Sequence, residues 1–163
     1  MKNSVLTIVL SAALVVMFIG VLLIPAAATT IVAESVKFEP KRMDLYDPEE
    51  IVTATIRFPP DYDDQVFEID TTTVLLEGSL PPLSGSNYTS DKPPQYVCEF
   101  DGYSIRDILW MKIYHDGLPP NPQGIYVVEL TIAGSLYDGT PFTGTDHIQV
   151  KPTHHSPPPP PPP

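Results

Sequence analysis

The closing stretch of the chain, Gly124 to Val150, reads GIYVVELTIAGSLYDGTPFTGTDHIQV, and its period of two leaves few folds open. Tyr126, Val128, Leu130 and Ile132 fall on one side of an extended chain, and Val127, Glu129, Thr131 and Ala133 on the other. Successive side chains of a strand point to opposite faces, so one side is greasy and the other wet. In the second run Phe142, Gly144, Asp146, Ile148 and Val150 alternate with mostly polar positions. Asp138-Gly139 joins the two runs, and glycine accepts the positive φ that a tight or bulged connection requires. The expectation is a β-hairpin that makes one edge of a β-sandwich.

Upstream, short alternating runs are cut by proline and glycine. Val36 and Phe38 are the inward pair of a first strand that Pro40 stops, and Met43 and Leu45 are an apolar pair in the connection Lys41 to Glu50. Val52, Ala54, Ile56 and Phe58 share one face of a strand closed by Pro59-Pro60, which have no N–H to give to a ladder. A polar connection follows, then Val66, Phe67 and Ile69 resume the apolar pattern and Thr71 to Leu76 reads as a β-branched strand ending at Gly78. Leu80 to Pro94, with four prolines, reads as a long loop. Gln95 to Phe100 is a strand, after which Asp101 caps a short helix with Ile105, Ile108 and Leu109 on its buried stripe. Trp110 to His115 alternates and stands open between strand and helix. About seven short strands with such punctuation predict an all-β, antiparallel sandwich with one short helix.

That domain spans residues 29–151, between two segments of other character. Lys2 precedes an uncharged stretch from Val5 to Ile24, Pro25 ends it, and Ala26-Ala27-Ala28 fits a signal-peptidase site, with cleavage after Ala28. The stretch is also long enough, about twenty residues, to span a bilayer, so an uncleaved anchor competes with a cut signal peptide. Either way Lys2 stays cytoplasmic and the domain works outside: extracellular, secreted or held at the cell surface. At the other end Pro157 to Pro163 is an unbroken proline run. It predicts a stiff polyproline II segment of about 3.1 Å per residue, preferred as a spacer over a ligand, so residues 152–163 form a proline-rich tail.

Without residues 1–28 the chain holds 20 acidic against 8 basic residues, a net charge of −12. Such a surface repels nucleic acid, which needs clustered Lys and Arg. Membrane contact is expected through the N-terminal segment alone. Cys98 is the single cysteine, so no intramolecular disulfide forms. It alternates with Tyr96 and Phe100, which predicts a buried, inert thiol.

No catalytic constellation emerges, and the expectation is a non-enzyme without cofactor. The Gly85-Ser86 pair lacks the strand-to-helix setting of a nucleophile elbow. His115 and His147 read as surface histidines. His154-His155 lacks the preformed geometry of a metal site, and Asp61, Asp63 and Asp64 lack the glycine and distal glutamate of an EF-hand loop, so no metal is expected. Asn87-Tyr88-Thr89 matches the N-x-[ST] acceptor pattern, which makes Asn87 a candidate glycosylation site in an exposed loop. Tyr88, Tyr96, Trp110 and Tyr114 are the aromatics available to loop-borne binding.

The segments FPPDYD, IDTTTVLLEG, CEFDGYSIRDIL and VELTIAGSLYDGTPFTGTDHIQV together resemble a β-sandwich (Ig-like) module of archaeal and bacterial exported or cell-surface proteins. That module closes with a hairpin of the form G-x-L-x-D-G-T-x-F-x-G-x-D-x-I-x-V, matched here by Gly134, Leu136, Asp138, Gly139, Thr140, Phe142, Gly144, Asp146, Ile148 and Val150. The resemblance runs from about Val36 to Val150. It implies an Ig-like sandwich that is a non-catalytic part of a surface or secreted protein, and with the export segment, the strand pattern, the proline spacer and the lack of a site the expectation is a structural or adhesive role. The alternative is a binding module whose loops take a glycan, cation or protein partner. Family members carry an aspartate-rich D-x-D-G segment before the strand at Tyr96, where this chain has Asp91 alone, and this chain has two extra residues around Val66 and Phe67.

Overall fold

The computed structural model describes residues 29–83, 87–89 and 93–151, the middle segment by its backbone. The hydrophobic segment with its Ala28 site and the proline tail, with His154 and His155, lie outside the described residues, as does Gly85-Ser86.

Among the described residues, alternation becomes nine strands in two sheets. In chain order they are β1 (Ile31–Val32), β2 (Ser35–Glu39), β3 (Arg42–Met43), β4 (Ile51–Arg57), β5 (Ile69–Leu76), β6 (Asn87–Thr89), β7 (Gln95–Asp101), β8 (Tyr126–Leu136) and β9 (Pro141–Val150). One sheet runs β2-β4-β7-β6, antiparallel throughout. The other runs β9-β8-β5, and both β1 and β3 pair with β9 in parallel on its far side. The chain is mostly β, as its patterning predicts.

The faces agree with the period-two reading. Val36 and Phe38 of β2, Val52, Ala54 and Ile56 of β4, and Phe58 just after it turn inward, against Val128, Leu130 and Ile132 of β8 and Ile148 of β9. Among the described residues no charged side chain is buried. Phe58 and Phe142 meet edge to face, ring centroids 5.4 Å apart. Each large apolar side chain taken out of water contributes roughly 1.5–3 kcal/mol, and no disulfide contributes.

The closing hairpin forms as expected, with β8 and β9 in register from Tyr126↔Val150 to Ser135↔Pro141. Its three-residue turn is held by Gly139 N–H donating to Leu136 O at 2.9 Å and by Asp138 Oδ1 accepting from Thr140 N–H at 2.8 Å. Gly139 sits at φ +86°, the left-handed position that a three-residue connection assigns to glycine. Its place is a correction: β9 is flanked by β8 on one side and by β1 and β3 on the other, while β8 also pairs with β5, so the hairpin is the centre of its sheet and no edge. Alternation decides which side chains go inward and is silent on how many neighbours a strand takes.

Two further corrections, and the answer to one open assignment, come from local chemistry. The polar connection Asp61 to Gln65 and the apolar Val66 and Phe67 after it lie together in a 3₁₀ helix over Pro60–Glu68, with Pro60 at its first position, where a missing N–H costs nothing. Val66 is its buried anchor and Phe67 is exposed. Trp110 to His115 is helical: helix α1 (Gly102–Trp110) continues into a wider π turn over Met111–His115, with Ile113 buried. The loop Leu80 to Pro94 contains β6, which pairs antiparallel with β7.

The cap of α1 is as predicted. Asp101 Oδ2 accepts from Ser104 N–H at 2.8 Å and from Ser104 Oγ at 2.6 Å, and Ile105 and Leu109 are buried with Ile108 packed against them. β5 pairs with β8 at Asp70↔Ser135 and again at Leu75↔Ala133, so the strand bulges between. There Thr73 Oγ1 takes the place of a backbone acceptor for Ser135 N–H at 2.9 Å.

Candidate functional site

The two histidines among the described residues are surface groups, each beside a carboxylate. His115 Nδ1 lies 3.0 Å from Asp116 Oδ1, and His147 Nε2 lies 3.5 Å from Glu129 Oε2, its cross-strand partner. All four side chains are more than half exposed. In open water such pairs interact weakly. Among the described residues no group of three or more His, Cys, Asp or Glu side chains comes together to hold a metal ion, Asp61, Asp63 and Asp64 included.

The four aromatics available for binding part company. Tyr96 is fully buried between the sheets and belongs to the core, because its strand alternates Tyr96, Cys98, Phe100 inward. Tyr88 lies in β6 opposite Tyr96. Trp110 and Tyr114 stand one helical turn apart, so their rings meet at 4.1 Å between centroids, tilted by 36°. Tyr126, at the start of β8, adds a third ring 6.4 Å from Tyr114. Burial raises the Tyr114 phenol above its ordinary pKa, and the neighbouring Tyr126 and Tyr46 phenols raise it further. Tyr46 and Tyr126 escape a sequence reading as members of this group. The spacing of Trp110 and Tyr114 is its one sequence signal, and only a helical assignment makes that spacing legible.

Asn87 lies in β6, opposite Val97 of β7, rather than in a free loop. Cys98 is buried, its Sγ 3.8 Å from Ala54 O, and burial pushes its pKa up to about 12. A thiol in that state is no nucleophile.

The hairpin residues that carry the family resemblance are used by the fold. A Cβ on Gly134 would stand 2.8 Å from the Phe142 ring, and one on Gly144 would stand 2.4 Å from Val36 Cγ2 and 2.8 Å from Ala33 Cβ. Both glycines are therefore contact points where another residue's side chain fills the missing volume. Asp146 Oδ2 accepts from Phe38 N–H at 2.9 Å and pairs with the Lys41 ammonium, tying β9 to the other sheet. Burial alone would raise the Asp146 pKa, and the hydrogen bonds from Lys41 and from the Phe38 and His147 amides outweigh it, so its carboxyl titrates below the usual range. Gly102, in the resembling segment CEFDGYSIRDIL, lies so close to the Glu49 carbonyl that a Cβ would overlap its oxygen at 1.7 Å.

A last polar cluster closes the edge of β8 beyond the end of β5. Glu77 N–H donates to Thr131 O at 2.8 Å and Glu77 Oε1 accepts from Thr131 N–H at 2.6 Å. Glu77 Oε2 pairs with Lys112 Nζ at 2.7 Å, and the same ammonium donates to Glu129 O at 3.1 Å. These groups satisfy strand backbone that has no neighbouring strand. Among the described residues, what the surface offers a ligand is stacking at the Trp110, Tyr114 and Tyr126 group and weak ionic contact elsewhere. Comparison with protein-family models, with curated proteins and with solved structures finds no match to this chain.

Proposed function

We propose that this chain is an exported, Ig-like sandwich module without catalytic activity, serving as a structural or adhesive element at the cell surface. On this reading residues 1–28 are a signal peptide or retained anchor, residues 29–151 are the working domain, and residues 152–163 are a stiff proline spacer. The strand order supports the Ig-like assignment: β2-β4-β7-β6 against β9-β8-β5 matches the ABED and GFC sheets of a constant-type immunoglobulin domain. The observation that carries the functional reading is the use of the hairpin pattern. Gly134, Asp138, Gly139, Phe142, Gly144 and Asp146 are each occupied in a turn, a close approach or an inter-sheet bond, leaving a motif that builds a scaffold.

Two measurements test it. Intact mass and N-terminal sequence of the product from the exporting cell should begin near Thr29 if the signal is cut, and at Met1 if the anchor stays; a product retained in the cytoplasm discards the export reading. A thermal-shift screen with glycans and calcium should leave Tm unchanged, and a saturable rise would replace the structural reading by the binding one. One observation favours that second reading: Tyr114 is 39% exposed at the edge of the three-ring group. If a glycan does bind, Tyr114→Ala should abolish its effect on Tm.

A further inference from the structure

The N-terminal segment and the last strand lie side by side and run the same way. Ile31 and Val32 pair with Phe142 and Thr143 near the start of β9, and Arg42 and Met43 pair with Gln149 and Val150 at its end. Backbone bonds fasten both places: Ala33 N–H to Thr143 O at 2.8 Å, Gln149 N–H to Lys41 O at 2.9 Å and Lys151 N–H to Met43 O at 3.3 Å. Side chains add to them, with Arg42 Nε donating to Gln149 Oε1 at 3.1 Å and Asp146 holding both Lys41 and the Phe38 amide midway.

The direction of the chain matters as much as these bonds. It comes in at Ile31, beside Phe142, and goes out past Val150, eight residues further along β9, roughly 26 Å away at about 3.3 Å per residue. Tension between residue 29 and residue 151 therefore drags β1 and β3 one way along the strand axis and β9 the other. Inter-strand hydrogen bonds stand across that axis, so they are loaded together and must fail together. A pull across the strands would open them one pair at a time. From this geometry we infer that the segment 31–43 and β9 form a shear clamp, and that the domain is a load-bearing link between its N-terminal segment and its proline tail. The inference deepens the structural reading above and rests on it.

Single-molecule force spectroscopy on the full chain in detergent tests the clamp. Handles at Thr29→Cys and Pro163→Cys load the strands along their axis, whereas handles at Thr29→Cys and Tyr137→Cys pull from two points at the same end of β9 and peel β1 away sideways. The buried Cys98 does not compete for the handles at neutral pH. Forced unfolding is governed by the unfolding rate, so rupture force reports the barrier in each direction. The expected result is a rupture force several-fold higher along the axis than across it at one loading rate. Equal forces, or a weaker axial one, overturn the clamp. Tyr137 is 67% exposed, and an unchanged urea midpoint of Tyr137→Cys checks that its handle leaves the turn intact. The two failures are distinguishable: equal forces discard the clamp and leave a scaffold that bears no load, whereas a ligand found by thermal shift discards the scaffold reading and leaves the measured anisotropy standing.

Discussion

The carboxylate of Asp146 on β9 accepts the backbone N–H of Phe38 on β2 at 2.9 Å, a bond between the two sheets across 108 residues of sequence. Phe38 is an interior strand residue of β2, and its amide is satisfied by a side chain of the other sheet. The Lys41 ammonium lies on the same oxygen. One carboxylate therefore joins the N-terminal segment, the last strand and both sheets.

Removing that carboxylate should be expensive for its size. Asp146→Ala leaves the Phe38 amide without its acceptor and is expected to destabilise the domain by about 1–3 kcal/mol, read as a lower urea midpoint at unchanged m. Asp146→Asn keeps an acceptor and should lose less. The difference between wild type and Asp146→Ala should also depend on pH. The folded pKa of Asp146 is depressed, so its contribution is complete above the unfolded value near 3.9, roughly the ordinary aspartate figure, and is lost as pH falls through the folded value. Urea titrations at neutral pH and at successively lower pH should show the two proteins converging.

The glycine contacts make a graded prediction. At Gly144 the nearest obstruction is Val36 Cγ2, which a rotamer change can shift, while the Ala33 Cβ behind it moves only with its backbone, so Gly144→Ala should cost about 1–3 kcal/mol, the usual range for overpacking. Trimming the neighbour should restore part of it: Gly144→Ala with Val36→Ala is expected to be more stable than the sum of the two single changes, measured as a double-mutant cycle. At Gly102 the obstruction is the Glu49 backbone carbonyl, which no rotamer change can move. Gly102→Ala should therefore be the more damaging of the two, with no single side-chain substitution that rescues it.

Helix α1 depends on one cap. Asp101→Ala removes the acceptor for Ser104 N–H and Oγ and is expected to cost about 0.5–2 kcal/mol, the range for helix N-caps. Ser104→Ala keeps the backbone bond and should cost less. The Asp101 pKa is lowered, by the Ser104 hydroxyl first and its amide second, so the cap's contribution holds above the ordinary aspartate range and fades as pH falls through the folded value. NMR titration of the Asp101 carboxyl checks this directly: its midpoint should move upward in Ser104→Ala, and an unmoved midpoint would mean that the hydroxyl contributes nothing.

These residues also mark how far the sequence can be read. Strands β4, β7, β8 and β9 are legible because each buries one face, and burial writes itself as alternation. β1 and β3 are not, since a two-residue strand has no period and is defined by the β9 backbone beside it. The 3₁₀ helix at residues 60–68 buries Val66 alone and so leaves no stripe. The bulge in β5 depends on Thr73 reaching Ser135, a partner 62 residues away. Of the candidate site, the Trp110 and Tyr114 spacing is present in the sequence but hidden by an alternation that suits a strand equally well. Tyr46 acts on the Tyr114 phenol from far away in the sequence, for which no local pattern exists.

Cys98 offers the last test, because its inertness is a property of the fold. With a pKa of about 12 in the folded chain, its thiolate fraction at pH 8 is on the order of 10⁻⁴, while an unfolded thiol near pKa 8.5 is substantially ionised. Iodoacetamide at pH 8 should therefore modify the native protein only as fast as it opens, and the denatured protein at once. The same burial sets a pH dependence at the alkaline end. A raised folded pKa means that the contribution of Cys98 is fully present below its unfolded value and is lost as pH rises through the folded one, because the unfolded chain releases its proton first. Between those limits the loss approaches about 1.4 kcal/mol per pH unit. Tyrosines and lysines titrate in the same range, so the measurement is a comparison: stability of Cys98→Ala should fall less steeply than that of wild type above pH 9, and parallel curves would show that the thiol is not buried as it stands here.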